Sequence, residues 1–248
     1  MRIAAIYDIH GNLPALDAVL ADVRRAGADR IVVGGDVLPG PMPRETLDRL
    51  IDLDVPLDYI RGNGDRATLE QMTAGSVTNV PAPYRDVFRW VAEQLGPEHQ
   101  RLLASWPAMR RDHVDGIGDV LFCHATPRND TEIFTRETPE EALRVVFADA
   151  NAALVVCGHT HMQFDRVVNG IRVVNAGSVG MPFGQPGAYW VLLGPTVELR
   201  HTAYDLQEAA RIVRAARYPQ AEEFASRNIL EPPGETEMLA TFGRVAIQ

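Results

Sequence analysis

Short apolar runs, mostly β-branched, recur along the chain at Ile3 to Tyr7, Arg30 to Val33, Leu57 to Ile60, Val120 to Cys123 and Leu154 to Cys157. Runs of this length without polar alternation predict strands buried on both faces. Between the first two, Leu16, Val19, Leu20 and Val23 repeat with a helical period that closes at Gly27. Glu45 to Leu53 predicts a second helix, so the first sixty residues read β-α-β-α-β and imply a parallel sheet with right-handed crossovers.

From Ala67 to Trp106 the pattern turns helical, with helices predicted at Tyr84 to Leu95 and Pro97 to Ser105. This helical insertion, at about 67–106, is placed to overhang the crevice at the strand ends. Arg110 to Val114 and Val120 to Cys123 suggest a hairpin across Asp115-Gly116-Ile117-Gly118-Asp119, and Pro139 to Ala150 returns to helix. Phe164 to Val168 and Ile171 to Val174, joined by Asn169-Gly170, carry the strongest hairpin signal. Strands near Ala188 to Leu193 and Val197 to His201 follow, and these late strands are expected to form a second sheet on the first. The tail at about 205–248 holds an amphipathic helix to about Ala216 and a shorter helical stretch after Pro219, broken by Pro232-Pro233-Gly234. The sequence leaves open whether it packs on the body or mediates oligomerisation.

The polar residues that close the strands carry the chemistry. Asp8-Ile9-His10, Gly35-Asp36, Gly62-Asn63, His124 and Gly158-His159-Thr160-His161 each follow a predicted strand, and they hold four of the seven histidines. In open α/β sheets the carboxyl ends of the strands line one crevice, so ligands distant in sequence converge there. Residues at i and i+2 of an extended segment point the same way. Asp8 and His10 can therefore grip one ion, and His159 and His161 can grip one ion together or serve two neighbouring ions. Imidazoles, carboxylates and an amide oxygen without thiolate form a borderline donor set open to Mn, Fe, Zn, Co or Ni, whereas Mg²⁺ or Ca²⁺ alone prefers oxygen.

This pattern resembles the calcineurin-like metallophosphoesterases over residues 1 to about 200, and Asp8-Ile9-His10-Gly11-Asn12-Leu13 resembles their branch of small prokaryotic phosphodiesterases. The resemblance implies an α/β fold of two mostly mixed β-sheets packed as a sandwich and flanked by helices. It implies Asp8, His10 and His161 on one divalent ion and Asn63, His124 and His159 on another, with Asp36 bridging and Mn²⁺ the favoured metal. Asp36, Asn63, Asp65 and His124 are then the residues expected to carry catalysis. Two ions about 3.5–4 Å apart can share a water and lower its pKa, so a metal-bridging hydroxide is the expected nucleophile toward a phosphoester. No serine elbow competes, because Gly177-Ser178-Val179-Gly180 lacks the spacing.

One position departs from the family pattern. Many members carry a His directly after the motif Asn, oriented by an acid one residue later, and here Gly64 stands there with Asp65 following. Lacking that proton donor, the chain is expected to favour phosphodiesters over simple monoesters, and a Gly64→His change is expected to raise monoester hydrolysis. Alternatives are a phosphomonoesterase or protein phosphatase of the same family, or a non-catalytic scaffold retaining the fold, against which the intact ligand set weighs. Arg128 is a candidate substrate contact as a phosphate fork, and Asn12 is either a second such contact or a helix cap, the cap being the stronger reading. Arg61 and Arg66 flank the Gly62 turn as further cations.

Composition narrows the partners. The chain has 248 residues, 46% hydrophobic and 23% charged, enough to bury about 70–75% of its unfolded surface in one compact domain spanning residues 1–248. A net charge of −9 argues against general nucleic-acid binding and for a small phosphoester substrate drawn to a local positive metal site. No apolar run reaches membrane-spanning length, so no membrane partner is expected and a cytoplasmic location is. Cys123 and Cys157 read as small core residues rather than as ligands or a redox pair.

Overall fold

The computed structural model describes residues 1–247. The chain opens β1 (Ile3–Ile6), α1 (Leu13–Arg25), β2 (Arg30–Val33), α2 (Pro43–Ile51) and β3 (Leu57–Tyr59), the alternation that the apolar pattern predicts. Three helices follow, α3 (Asn63–Ala74), α4 (Arg85–Gln94) and α5 (Pro97–Ser105), with a 3₁₀ turn at Ala82–Tyr84. Then come β4 (Met109–Val114), β5 (Gly118–Cys123), α6 (Glu140–Phe147), β6 (Leu154–Cys157), β7 (Phe164–Val168), β8 (Ile171–Asn175), β9 (Ala188–Leu193) and β10 (Val197–Thr202). The tail forms α7 (Leu206–Ala215), then α8 (Ala221–Phe224) running into a π-helical turn (Ala225–Leu230), and α9 (Glu235–Phe242).

Two mixed five-stranded sheets result, ordered β10-β9-β1-β2-β3 and β4-β5-β6-β8-β7. The sheet membership differs from the sequence expectation for the last two strands. β9 and β10 do not join the second sheet, because β9 pairs antiparallel with β1, Ala5 opposite Val191. β5 and β6 pair with each other in the second sheet. The five polar signatures therefore come from the strand ends of two sheets and meet at the seam between them.

The alternation of side chains along β1 shows why its sequence is apolar throughout. Ile3 and Ala5, with Tyr7 just beyond, point into the core shared with Phe122, Val156 and Val174 of the other sheet. Ala4 and Ile6 point the other way, onto Leu16 and Val19 of α1 and the helices beside it. On the outer face of the second sheet, Leu143 and Phe147 of α6 pack with Leu121 and Val155. The tail packs on the body: Val213, Phe224 and Ile229 are buried in the same cluster as α1.

Two helices escape the periodicity. α3 has few apolar residues and starts at Asn63 itself. Its first turn is fixed by carboxylates, since Asp65 accepts from the Gly62 amide at 3.0 Å and Asp36 from the Gly64 amide at 2.7 Å. α9 restarts after Pro233, with Gly234 as its cap and Glu235 and Glu237 in the first turn.

At the seam, the Tyr7 hydroxyl donates to the Val156 carbonyl at 2.9 Å, tying the end of β1 to β6. The ring lies so close to Gly34 that a Cβ there would come within 2.0 Å of Tyr7 Cε1. Gly34→Ala should therefore overpack the seam and cost about 1–3 kcal/mol, read as a fall in Tm of about 2–4 °C per kcal/mol. A thermal scan showing an unchanged midpoint would contradict this packing.

Candidate metal centre

The loop after β1 and the loop after β2 continue the strand pairing beyond the sheet. Asp8, His10 and Gly11 amides donate to the carbonyls of Gly35, Asp36 and Val37 at 2.9–3.0 Å. Loops after β5 and β6 are joined by the Gly158 amide on the His124 carbonyl at 2.8 Å. Zipped in this way, the loops leave extended geometry. Asp8, His10, Asp36, His159 and His161 all have φ between 48° and 68°, and among the described residues the other non-glycine residues with positive φ are Asn151 and Asn169. Each such turn costs about 1–2 kcal/mol in a residue with a Cβ, so strain is concentrated at this site. It also corrects the expectation from strand pleating: Asp8 and His10 converge through a left-handed turn, not along an extended segment.

Two groups of side chains form. Asp8, His10 and His161 present ligand atoms within 4.8 Å of one another, and so do Asp36, His124 and His159. The two histidines of the Gly158 motif thus divide between the groups. The Asp36 carboxylate reaches both, with Oδ2 3.8 Å from His10 Nε2 and Oδ1 3.5 Å from His124 Nε2. Asp8 Oδ1 lies 3.5 Å from His161 Nε2 and 3.9 Å from His124 Nε2, and its other oxygen accepts from the His159 amide at 2.9 Å. The Asn63 amide stands 3.2 Å from His124 Nε2 and 3.0 Å from His159 Nδ1.

The donor chemistry fits divalent cations. The Nδ1 atoms of His10, His124 and His161 face the carbonyls of Pro39, Gly34 and Met181 at 3.2, 3.0 and 2.8 Å, which directs Nε2 inward. His10 Nε2 and His161 Nε2 then face each other at 3.2 Å, two lone pairs that a cation reconciles. Asp8 Oδ1 is buried without a hydrogen-bond partner among the described residues. Asn63 faces the imidazoles with either end of its amide: oxygen inward it is a metal donor, nitrogen inward it donates to His124, His159 and the Asp130 carbonyl.

Charge states follow from burial and crowding. Burial opposes ionisation of Asp8 and Asp36, yet the imidazoles around them, His161 foremost for Asp8 and His124 for Asp36, hold both below the usual carboxylate range. Burial and then His161 depress His10, and burial and then His124 take His159 down to about 4. Burial also works against charge on His124, but the Asp36 and Asp8 carboxylates carry it up to about 10. Metal binding needs the carboxylates ionised and the imidazoles neutral, so a cation entering the second group displaces the proton that Asp36 and Asp8 hold on His124.

Several expected roles move. Asp65 is not at the reacting face: its carboxylate accepts from the Asp36 and Gly62 amides through Oδ2 at 2.8 and 3.0 Å and from the Leu38 amide through Oδ1 at 3.1 Å. Burial and then the Asp36 charge push its pKa up to about 8 against those amides. It is a clamp on the Asp36 and Asn63 loops rather than an orienting acid. Asn12 is a cap and a tie, not a substrate contact: fully buried, it accepts from the Ala15 amide at 3.3 Å and donates to the Gly180 carbonyl at 3.0 Å. The Arg128 fork is occupied by Glu132, and Arg66 is held on Asp130 at 2.7 and 3.0 Å. Arg61, by contrast, lines a cleft of about 230 Å³ with His124 and pairs with no carboxylate among the described residues.

The Gly64 position also changes meaning. A Cβ there would lie 2.2 Å from the Leu38 carbonyl oxygen and 2.9 Å from Pro39 Cδ, so no side chain fits without moving the backbone. Gly64→His would displace this turn, so a gain in monoester hydrolysis does not follow from it.

The segment at 175–181, whose glycines and backbone suggest an approach to the site, buttresses it through side chains as well. Asn175 donates to the Gly158 carbonyl at 2.6 Å and to Thr160 Oγ1 at 3.1 Å, while Ser178 Oγ donates to the Asp8 carbonyl at 2.7 Å and accepts from the Met181 amide at 2.8 Å. A polar residue closing β8 was the available signal.

Comparison with known proteins gives a match of residues 1–194 to the calcineurin-like phosphoesterase superfamily domain. The uncharacterised protein MJ0912 of Methanocaldococcus jannaschii is 27% identical over 239 residues, covering 88% of this chain and 94% of its own. Phosphodiesterase YfcE of Escherichia coli is 26% identical over 202 residues, 77% of this chain and 87% of its own. The crystal structure of a metallophosphoesterase from Sphaerobacter thermophilus superposes with a TM-score of 0.71 at 28% identity, over 91% of this chain and 97% of that one.

Asp36→Asn keeps an acceptor for the Gly64 amide but removes the charge that both groups share. Elemental analysis after equilibration with Mn²⁺ should show fewer ions per chain than in the parent, at least tenfold weaker binding being expected from loss of a ligand charge. Parental stoichiometry and affinity would contradict the shared role.

Proposed function

The chain belongs to the calcineurin-like phosphoesterase superfamily, and from that premise we propose that it is a dinuclear metal-dependent phosphodiesterase acting on small phosphoesters, with Mn²⁺ the favoured metal. The observation that carries this is the Asp36 carboxylate, which offers one oxygen toward His10 and the other toward His124. Asp8, His10 and His161 would hold one ion, and Asn63, His124 and His159 the other, with Asp36 between them. A pair of divalent ions supplies Lewis acidity that activates a water and neutralises phosphoryl oxygens during in-line displacement.

The chain's own residues supply position and field. Backbone carbonyls at Gly34, Pro39 and Met181 fix the imidazole orientations, so little reorganisation accompanies reaction. Arg61 lines the cleft beside His124 and pairs with no carboxylate among the described residues, a guanidinium available to a non-transferred phosphoryl oxygen.

The diester preference rests on what the Gly62 turn lacks. Gly64 offers no proton donor, its backbone is packed against Leu38, and the Asp65 carboxylate is spent on three amides. A poor leaving group would therefore depart without a protein acid from this turn, whereas a diester with a stable leaving oxyanion needs none. The E. coli relative's description as a phosphodiesterase agrees with this reading.

The test is a substrate panel with Mn²⁺-loaded protein: bis(p-nitrophenyl) phosphate, p-nitrophenyl phosphate and glycerol 2-phosphate. The diester should lead glycerol 2-phosphate in kcat/KM by about tenfold or more, a difference of about 1.4 kcal/mol in barrier, and chelation should abolish all hydrolysis. No turnover of any ester by metal-loaded protein would refute the enzyme reading, and a lead by glycerol 2-phosphate would refute the diester preference.

A further inference from the structure

Beside the first ligand group opens a cleft of about 330 Å³ that His10 itself lines. Its volume falls in the range of small-molecule sites, about 300–1,000 Å³. Aromatic rings contribute to its walls: Tyr84 and Phe88 from the helical insertion, Tyr218 and Phe224 from the tail, and Phe183 from the loop between β8 and β9. Phe183 lies nearly parallel to the His161 ring, with centroids 5.3 Å apart and planes at 24°, so the aromatic wall begins at a candidate ligand.

Polar side chains from the tail also face the cleft. Gln220, Glu223, Arg227 and Asn228 line it, and their side chains make no hydrogen bond or ion pair with one another or with any other described residue. Arg227 and Asn228 sit on the π-helical turn Ala225–Leu230. Such turns are rare in globular proteins and concentrate at functional sites. The turn is anchored from beneath by Ala225 and Ile229, fully buried in the core, so its outer residues are held in place. This wall lies beyond residue 194, outside the stretch matched to the superfamily domain.

Flat apolar faces next to unpaired amide, carboxylate and guanidinium groups suit one ligand chemistry: a planar ring that stacks and whose edge both donates and accepts hydrogen bonds. We propose that this cleft is the specificity pocket for the non-reacting half of the substrate, and that this half is a nucleoside, its base lodged between the insertion and the tail with the phosphoester directed to the ligand groups at His10. The proposal rests on the phosphoesterase reading for the position of the phosphoester, while the pocket itself binds base without chemistry. An aliphatic alcohol would leave the Gln220 and Asn228 amides unpaired on closure, and a plain phenyl ring would satisfy the faces but not the edge.

The experiment separates the two claims by using ligands that cannot be hydrolysed. Trp90 packs edge-on against Tyr218 at 5.6 Å, so tryptophan fluorescence reports occupancy of the cleft. Adenosine and guanosine are titrated into the full, Mn²⁺-loaded chain, with ribose and phenol as controls. Saturable binding of at least one nucleoside is expected, tighter than either control. Loss of one stacking face in Tyr84→Ala or Phe183→Ala should weaken it about five- to 100-fold, and Asn228→Ala should reduce the preference of nucleoside over phenol. Tyr84 is 52% exposed, so its replacement leaves the folded core intact; unchanged circular dichroism is the check for each variant. No saturable nucleoside binding, binding no tighter than phenol, or affinities unmoved by all three substitutions would overturn the proposal. Nucleoside binding without hydrolysis of any ester would leave this pocket standing and remove the phosphodiesterase reading; hydrolysis without nucleoside binding would do the reverse.

Discussion

The buried charge of Asp36 is the constraint around which the rest of the molecule is arranged. A carboxylate with 4% of its surface exposed stays ionised only with strong compensation. Here the compensation comes from every side: the Gly64 amide on Oδ1, His124 and His10 across the two oxygens, and the amino end of α3. Asp65 completes the arrangement from behind by taking the amides of Asp36, Leu38 and Gly62. The loops that deliver the other donors accept left-handed backbone geometry to do so, and the strand pairing and seam packing beneath them hold that strain.

The parts of this design that depend on local chemistry were legible in the sequence. Four-residue apolar runs marked β2 and β6 to the residue, and Pro97 to Ser105 matched α5. The polar residues closing the strands marked the site, because imidazoles and carboxylates rarely end buried strands by chance in such numbers. What could not be read depended on long-range pairing. β9 and β10 carry ordinary strand patterns, and nothing local says that Val191 and Leu193 will share a core with Ile3 and Ala5. α3 lacks an apolar stripe, and its first turn is fixed instead by Asp36, 28 residues from Gly64.

The same distinction governs the side chains whose roles changed. Arg128, a candidate phosphate fork, is occupied by Glu132, and Arg66, a flanking cation of the Gly62 turn, is held by Asp130. Arg61, with an equivalent sequence context, has no carboxylate partner among the described residues and lines a cleft beside His124. A cation's availability is a property of its neighbours, and only the fold supplies those. Gly64 is the inverse case. The sequence shows a missing side chain, and the structure shows that its space is filled by the Leu38 carbonyl, so the absence is part of how the turn packs.

The central claim is that two ions share the Asp36 carboxylate at the seam. Electron paramagnetic resonance of the chain titrated with Mn²⁺ reads this directly, since ions about 4 Å apart couple through a common carboxylate. The account predicts an exchange-coupled spectrum that grows in as the second equivalent binds and disappears on chelation. A spectrum of isolated Mn²⁺ persisting at saturation would contradict it.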